Sequence, residues 1–437
     1  MECKKKPTQP DDNTPKHKRQ IFLYAVDTSV TEITLKVAIP ESVAQRTFVV
    51  KRDTQTILSA LCSALDTTFT DTALSPNHNY TYKAYRLKNN KAIDSSIVHV
   101  TTMDTTSHNF AFEIDTLGDG SSSTLYDVAI LNDTLAYAVG AIYLRDSTGQ
   151  IDPHAYGFAK WNGNKWTTFR LVAVGPTGVP SNLRPRGIFA FSENDIWFAS
   201  GGVFHWNGHQ DTVTPYWINM FSGNPNPILS QGQTAEKIWG TSSSNLYIVG
   251  HNGAIAKFDG TTWMKITSGT TLPINDICGA TNKFTSEQEI LCVASNTSQN
   301  NGSELLRIHN STITVLPSIG LSWSIGGVWL IPGKEYYVVG EGLYVKKNVY
   351  DSTEWKNIRY GLTNYGMAIV RGIRENNIVV VGSYGNFLHF NGIKWNNLHA
   401  QTYLENGTLG SVDIKGSFVI AVGHNGSKAV IIRGYHL

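Results

Sequence analysis

Residues 246–263 read LYIVGHNGAIAKFDGTTW, and the fold follows from how often this stretch recurs. It opens with an apolar strand that ends in Val-Gly, Leu246-Tyr-Ile-Val-Gly250. It closes on an aromatic, an acidic residue and a glycine, then two residues and a tryptophan, Phe258-Asp-Gly260-Thr-Thr-Trp263. The Val-Gly strand returns as Ala136-Tyr-Ala-Val-Gly140, Tyr336-Tyr-Val-Val-Gly340, Ile378-Val-Val-Val-Gly382 and Val419-Ile-Ala-Val-Gly423. Looser copies are Ile196-Trp-Phe-Ala-Ser-Gly201 and Ile290-Leu-Cys-Val-Ala294. The second half returns as Trp161-Asn-Gly163-Asn-Lys-Trp166 and Phe390-Asn-Gly392-Ile-Lys-Trp395, with Trp206-Asn-Gly208 as a copy carrying an insertion before Trp217. Asn-Gly and Asp-Gly favour the two-residue hairpin turn that needs positive φ, and the flanking aromatics can pack across it.

Phe258 and Phe390 lie 132 residues apart, three periods of 44. A third element opens each unit: Asp127-Val-Ala-Ile130, Gly187-Ile-Phe189, Lys237-Ile-Trp239, Asp276-Ile-Cys278, Gly327-Val-Trp329, Gly372-Ile373 and Ser411-Val412. Seven units of about 40–50 residues, each with four short strands, predict a seven-bladed β-propeller over residues 107–437. The seventh unit ends at Ala429-Val-Ile-Ile-Arg-Gly-Tyr-His-Leu437 without a Trp strand, while Asn109-Phe-Ala-Phe-Glu-Ile-Asp115 is a strand without a unit. The early strand is therefore expected to complete the last sheet near Val430–Ile432, with Phe110, Phe112 and Ile114 facing the core. An open ring would leave sheet edges unpaired.

Upstream, residues 21–106 alternate in short strands such as Ile33-Thr-Leu35-Lys-Val37. The stretch Leu74-Ser-Pro76-Asn-His-Asn-Tyr80-Thr-Tyr82 resembles the E–F region of fibronectin type III domains. The resemblance implies a β-sandwich in which Tyr80 is the tyrosine-corner residue. The tryptophan such domains often carry is absent, and Val37 and Ile39 occupy that neighbourhood. The whole chain is thus expected to be all-β, a fibronectin type III-like sandwich followed by the propeller. The repeat units resemble bacterial secreted propellers, including sialidase-type and photosystem-assembly-type repeats. Of the Ser-x-Asp-x-Gly-x-x-Trp box of sialidase blades only Gly-x-x-Trp survives, at Gly163/Trp166, Gly260/Trp263 and Gly392/Trp395.

Charged residues make up only 16% of the chain, against about a quarter in typical domains, and 36 basic side chains face 34 acidic ones. No basic stripe of the kind nucleic acid demands is visible, and no apolar run is long enough to span a membrane. Residues 1–20 are polar and read as a disordered tether. Cys3 sits where a lipid-modified cysteine would stand ahead of such a linker, so a lipid anchor at the outer cell surface is one expectation and a free terminal thiol the other. Cys278 and Cys292 fall on neighbouring strands, where two buried thiols are expected before a disulfide. No zinc-type cysteine pair, nucleotide loop or hydrolase motif occurs, and no metal or other cofactor is expected.

The opening strands should line the central channel. Their first positions supply the candidate ligand-binding residues Tyr126, Asp127, Arg186, Lys237, Asp276 and Arg371, with Glu236 and Asn275 in the same row. The arginines suit an anion and the aspartates a cation or acid–base work. The competing reading is a channel of mutually neutralising charges. No catalytic residue is assigned: a sialidase-type centre needs an arginine triad, a Tyr–Glu pair and an Asp, and no ordered set can be drawn. Glu193 and Asp195 read as turn residues, and Asp115 and Asp119 lack the spacing of a calcium loop. The long inserts 141–156, 167–184, 209–234 and 295–303 are candidate binding loops. The expected function is a secreted or cell-surface interaction protein for a protein or glycan partner. The alternative is a carbohydrate-active enzyme working at the channel mouth.

Overall fold

A computed structural model describes residues 20–437 except 41, 42, 44, 45, 63, 64, 120, 121, 176, 177, 221–223 and 225. Cys3 and residues 1–19 of the expected tether 1–20 lie outside the described residues. Almost all regular structure is β, and among the described residues the one α-helix is the short His399–Thr402. No helix is long and apolar enough to cross a membrane. The chain divides into two compact units, Met1–Thr106 with Asn391–Lys394, and Ser107–Phe390 with Trp395–Leu437.

In the first unit a three-stranded sheet (Phe22–Thr28, Ile33–Ala38, Asp66–Asp71) and a four-stranded sheet (Gln55–Leu61, Thr47–Arg52, Asn79–Lys88, Lys91–Thr101) share one core. Alternation does the sorting. Ile33, Leu35 and Val37 are fully buried from one sheet, and Phe48, Val50, Tyr82 and Ala84 from the other. Arg52 and the Tyr82 hydroxyl both donate to Asp71, tying the sheets together at 3.0 and 2.8 Å. The Tyr80 hydroxyl accepts a 2.8 Å hydrogen bond from the Ser75 N–H, a bond back to the upstream chain.

The second unit holds, among the described residues, seven four-stranded antiparallel sheets. Their first strands are Thr124–Asn132, Gly187–Ser192, Thr234–Ser242, Ile274–Thr281, Ile325–Ile331, Met367–Arg374 and Gly407–Lys415. Each lies beside the next in this order, and the seventh lies beside the first, so the sheets form a ring. The second strands are the Val-Gly segments, buried on both faces because each sheet is packed between two others.

The ring is closed by Phe110–Leu117, which pairs with Lys428–His436 in the register Ile114↔Ile432 and Phe110↔His436. Only part of the expected face turns inward. Phe110 is buried and Phe112 half-buried, but Ile114 is exposed. The strand it packs against begins at Phe387, whose ring meets Phe112 at 5.1 Å, and Ile114 lies one repeat beyond. On the opposite face Arg433 binds Glu113 and Asp115 and lies 4.0 Å over Trp161, joining the seventh sheet to the first. Asp115 also accepts from Trp166 Nε1, and Asp119 accepts the Arg145 N–H, so both act as local clips.

The Asn-Gly turns differ from the expectation of a two-residue loop with two positive φ angles. Gly163, Gly208, Gly260 and Gly392 are left-handed, whereas the Asn or Asp before each is not. That side chain instead accepts backbone N–H groups two and three residues on, as Asn162 does from Asn164 and Lys165, and four residues form the loop. The aromatics do pair across it: Trp161 with Trp166, Phe258 with Trp263 and Phe390 with Trp395, at 5.1–5.6 Å. Cys278 and Cys292 stay free on adjacent strands, one rung out of register, and burial pushes the Cys278 thiol up to about 11.

Candidate functional site

In each sheet the first strand begins, and the second ends, at the same end of the ring. That end is the mouth of the channel. Six of the seven first strands carry the same irregularity there: a register shift that leaves one extra residue opposite the Val-Gly pair. The extra residues are Tyr126, Glu236, Asn275, Gly326, Ala368 and Gly410. A β-bulge re-aims the side chain it carries, and in these six strands it breaks the alternation at the mouth. Residues on either side of the bulge therefore have different fates.

Just inside it the charges are consumed in pairs that each reach over one sheet. Asp127 on the first sheet meets Lys237 on the third at 3.1 Å. Asp276 on the fourth holds Arg371 on the sixth through two bonds of 2.7 and 2.8 Å. Small residues on the intervening sheets permit the approach. A Cβ on Gly187 would sit 2.5 Å from the Glu236 carbonyl oxygen, and one on Gly327 would sit 2.8 Å from the Ile369 Cα. The same carboxylates accept backbone N–H groups of the next sheet, Ile188 on Asp127 and Val328 on Asp276, and Ser411 donates to Asp127 at 2.6 Å. Burial alone would loosen the Arg371 proton, but the Asp276 carboxylate more than offsets it, and Arg371 stays firmly charged. Asp413 repeats the motif between the seventh sheet and the first by accepting the Ile130 N–H. Its burial pushes its carboxyl up to about 6.

Arg371 was expected beside Tyr126 and Arg186. The register puts it opposite Val379, two rungs deeper, and Ala368 holds the bulge position. Gly372, aligned by sequence with Gly327, instead matches Gly240 and Gly279. Gly372 faces the indole of Trp329 and Gly279 that of Trp239, and neither has room for a Cβ.

At the mouth lies a cavity of about 330 Å³ lined by Tyr126, Arg186, Glu236, His251, Asn275 and His424, with Lys237 at its edge. The Arg186 guanidinium lies 4.3 Å over the Tyr126 ring, and its side chain is 53% exposed. Glu236 is 3.8 Å from Arg186 and is also held by Thr234 and His251, at 2.9 and 3.4 Å. Asn275 donates to Ser295 and to the Ile325 carbonyl, so its amide fixes the rim. Of the six residues expected at the mouth, the structure brings Tyr126, Arg186 and Lys237 into one cavity and places Asp127, Asp276 and Arg371 in the inner network. His251 and His424 were missed. Both directly follow a Val-Gly pair, and comparing that position across the repeats would have found them.

The remaining acidic candidate is structural. Asp195 accepts from Trp197 and His205, both at 2.9 Å, and from Ser243 on the next sheet. A larger hollow of about 540 Å³ lies beside the insert hairpin Val172–Val174/Pro180–Asn182, and none of the aligned strand positions reaches it. No metal-binding group of three or more ligands occurs among the described residues.

No family model matches this chain, and no curated protein matches it in sequence. Solved structures do match in shape. A structure of YCF48 bound to a D1 peptide superposes with a TM-score of 0.54 at 13% identity, covering 76% of this chain and all of that one. The propeller of Dos1 gives 0.46 at 9% identity, over 73% of this chain and 94% of that one. The ring of sheets is a β-propeller.

Proposed function

We propose that this chain is a non-catalytic interaction protein: a closed seven-bladed propeller whose channel mouth holds an extended segment of a protein partner. The carrying observation is the division of charge at the bulge. Asp127 and Asp276 are each locked in an ion pair and a backbone hydrogen bond, while Arg186, stacked on Tyr126, stands half-exposed over a cavity of about 330 Å³. General acid–base chemistry needs carboxyl groups positioned at a substrate and able to exchange protons; Asp127 and Asp276 are committed elsewhere, and Glu236, which lines the cavity, is tied to Arg186, Thr234 and His251. An arginine on an aromatic face, ringed by histidines, suits the carboxylates and carbonyls of a peptide. A propeller with this architecture bound to a peptide supports the reading.

Residues 21–106 then serve as a fibronectin type III-like spacer, and Cys3 as the lipid anchor of a protein displayed on the cell surface. Mass spectrometry of the protein from its native cells reads the state of Cys3 directly. Selection from a displayed random-peptide library tests the binding site. Selected peptides should bind the full chain, and Arg186→Ala or Tyr126→Ala should weaken them about tenfold or more without moving the melting temperature. Turnover of sialosides or aryl glycosides that is abolished by Asp127→Asn would replace this reading with a carbohydrate-active enzyme.

A further inference from the structure

Tyr384 stands in a left-handed backbone conformation, φ 58°, in the turn after Val381-Gly382, with Gly385 at 75°. The matching turn of the third sheet has Asn252 at 53° and Gly253 at 66°. Turns of this kind take Asn, Asp or Gly at the first position, because a Cβ crowds the backbone there. A bulky side chain in that conformation is an outlier that persists where the surroundings hold it, often at functional sites. Tyr384 is 45% exposed, so burial does not account for it.

The ring begins a row. Tyr384 meets Tyr365 at 5.4 Å, Tyr365 meets His399 at 4.6 Å, and His399 meets Tyr403 at 5.5 Å and nearly a right angle. Tyr403 is 52% exposed. Independently, His399 Nδ1 is buried and has no hydrogen-bond partner among the described residues. Tyr365, His399 and Tyr403 lie on connections from one sheet to the next, at the same end of the ring as the mouth. Ser383 bridges to Thr408, and Thr408 lines the mouth cavity. The row therefore runs outward from the cavity.

We propose that this row is a proline-reading subsite of the channel mouth, an inference that rests on the protein-binding reading above. A pyrrolidine ring is flat and aliphatic, and it fits the slot between a ring face and the edge of its neighbour. Proline brings no N–H that would need an acceptor, and its carbonyls accept from tyrosine hydroxyls or an imidazole N–H. These four side chains offer ring faces and donors and no carboxylate. A proline-rich segment is also already extended, so little order is lost when it lies along the row.

The test uses fluorescein-labelled decaproline followed by anisotropy on the full chain, with a labelled Gly-Ser decamer as control and chitohexaose as competitor. Decaproline should bind saturably and the Gly-Ser peptide should not. Tyr403→Ala and Tyr384→Gly should each weaken binding about fivefold or more, and Phe284→Ala, an exposed aromatic on a turn at the opposite end of the ring, should leave it unchanged. Tyr384→Gly should melt at or above the wild-type temperature, because it relieves the turn; this separates lost binding from lost folding. Absence of saturable decaproline binding, or equal binding by both tyrosine variants, overturns the subsite. So does displacement by chitohexaose, which would mark the row as a glycan platform. Library peptides that depend on Arg186 but ignore the tyrosines would overturn the subsite alone and leave the channel-mouth site standing.

Discussion

The inner channel and its mouth are built from the same seven strands, one residue apart, and they do opposite things. Inside the bulge, Asp127, Lys237, Asp276 and Arg371 are paired and serve the ring. On the bulge itself, Tyr126 and Glu236 face a cavity with the exposed Arg186. The same residue types are structural or available according to which side of one register shift they occupy. Charge alone therefore does not mark a site in a propeller channel; exposure to the cavity does.

The strongest way to break this contrast is Asp276→Ala. It leaves the largely buried Arg371 without its carboxylate and the Val328 N–H without an acceptor. Removing one partner of such a pair costs roughly 3–5 kcal/mol, so urea unfolding should show a loss of that size. A loss below about 1 kcal/mol would mean the inner network is not what holds the sheets together. Gly372→Ala comes next, because its Cβ would meet Trp329 at 2.7 Å, and overpacking typically costs about 1–3 kcal/mol. Gly410→Ala, on the mouth with open space around it, should fall within about 0.5 kcal/mol of wild type. Equal effects at the two glycines would erase the distinction between the regions.

The third prediction concerns pH. Asp413 is raised to about 6 by burial, so between the ordinary carboxylate pKa and that value the folded chain holds a proton that the unfolded chain has lost. Its contribution is present below about pH 4 and disappears as pH rises to about 6. Asp413→Asn removes the titration while its amide oxygen can still accept the Ile130 N–H. It should flatten the stability profile across that window and stabilise the protein at pH 7 by on the order of 1 kcal/mol. An unchanged pH profile would show that Asp413 is better solvated than its place between the sheets implies. The smallest expected effect is Arg186→Ala on stability. Its charge partner Glu236 is 3.8 Å away and the side chain is half in water, so a change within about 0.5 kcal/mol is expected by thermal denaturation.

Much of this was legible in the sequence. The Val-Gly strand and the Gly-x-x-Trp hairpin recur because each sheet repeats one packing problem, and the missing strand of the last unit pointed to the segment Asn109–Asp115. The failures share a cause. Gly372 was matched to Gly327 because both precede an apolar residue, yet the pairing sets Ile369, three residues earlier, level with Gly327, and the local pattern does not register that offset. Ile114 was expected inside because it shares a face with Phe110, but how far that face is covered depends on where a strand of another sheet begins. The histidines were passed over because the position after Val-Gly looks like a turn in one dimension.

By itself the sequence determined the period, the four strands per unit, the aromatic clasp of the hairpins and the need for an early strand to close the ring. These depend on alternation, turn chemistry and counting, which act between residues near one another in the chain or repeat along it. Only the tertiary structure decided which charges are spent and which remain available. Asp127 finds Lys237 and Asp276 finds Arg371 across an intervening sheet, and Arg433 meets Glu113 and Asp115, more than 300 residues away in the chain, on the neighbouring strand. Such partners are chosen by the closure of the ring and by one-residue register shifts, which alter every contact along a strand while leaving its composition unchanged.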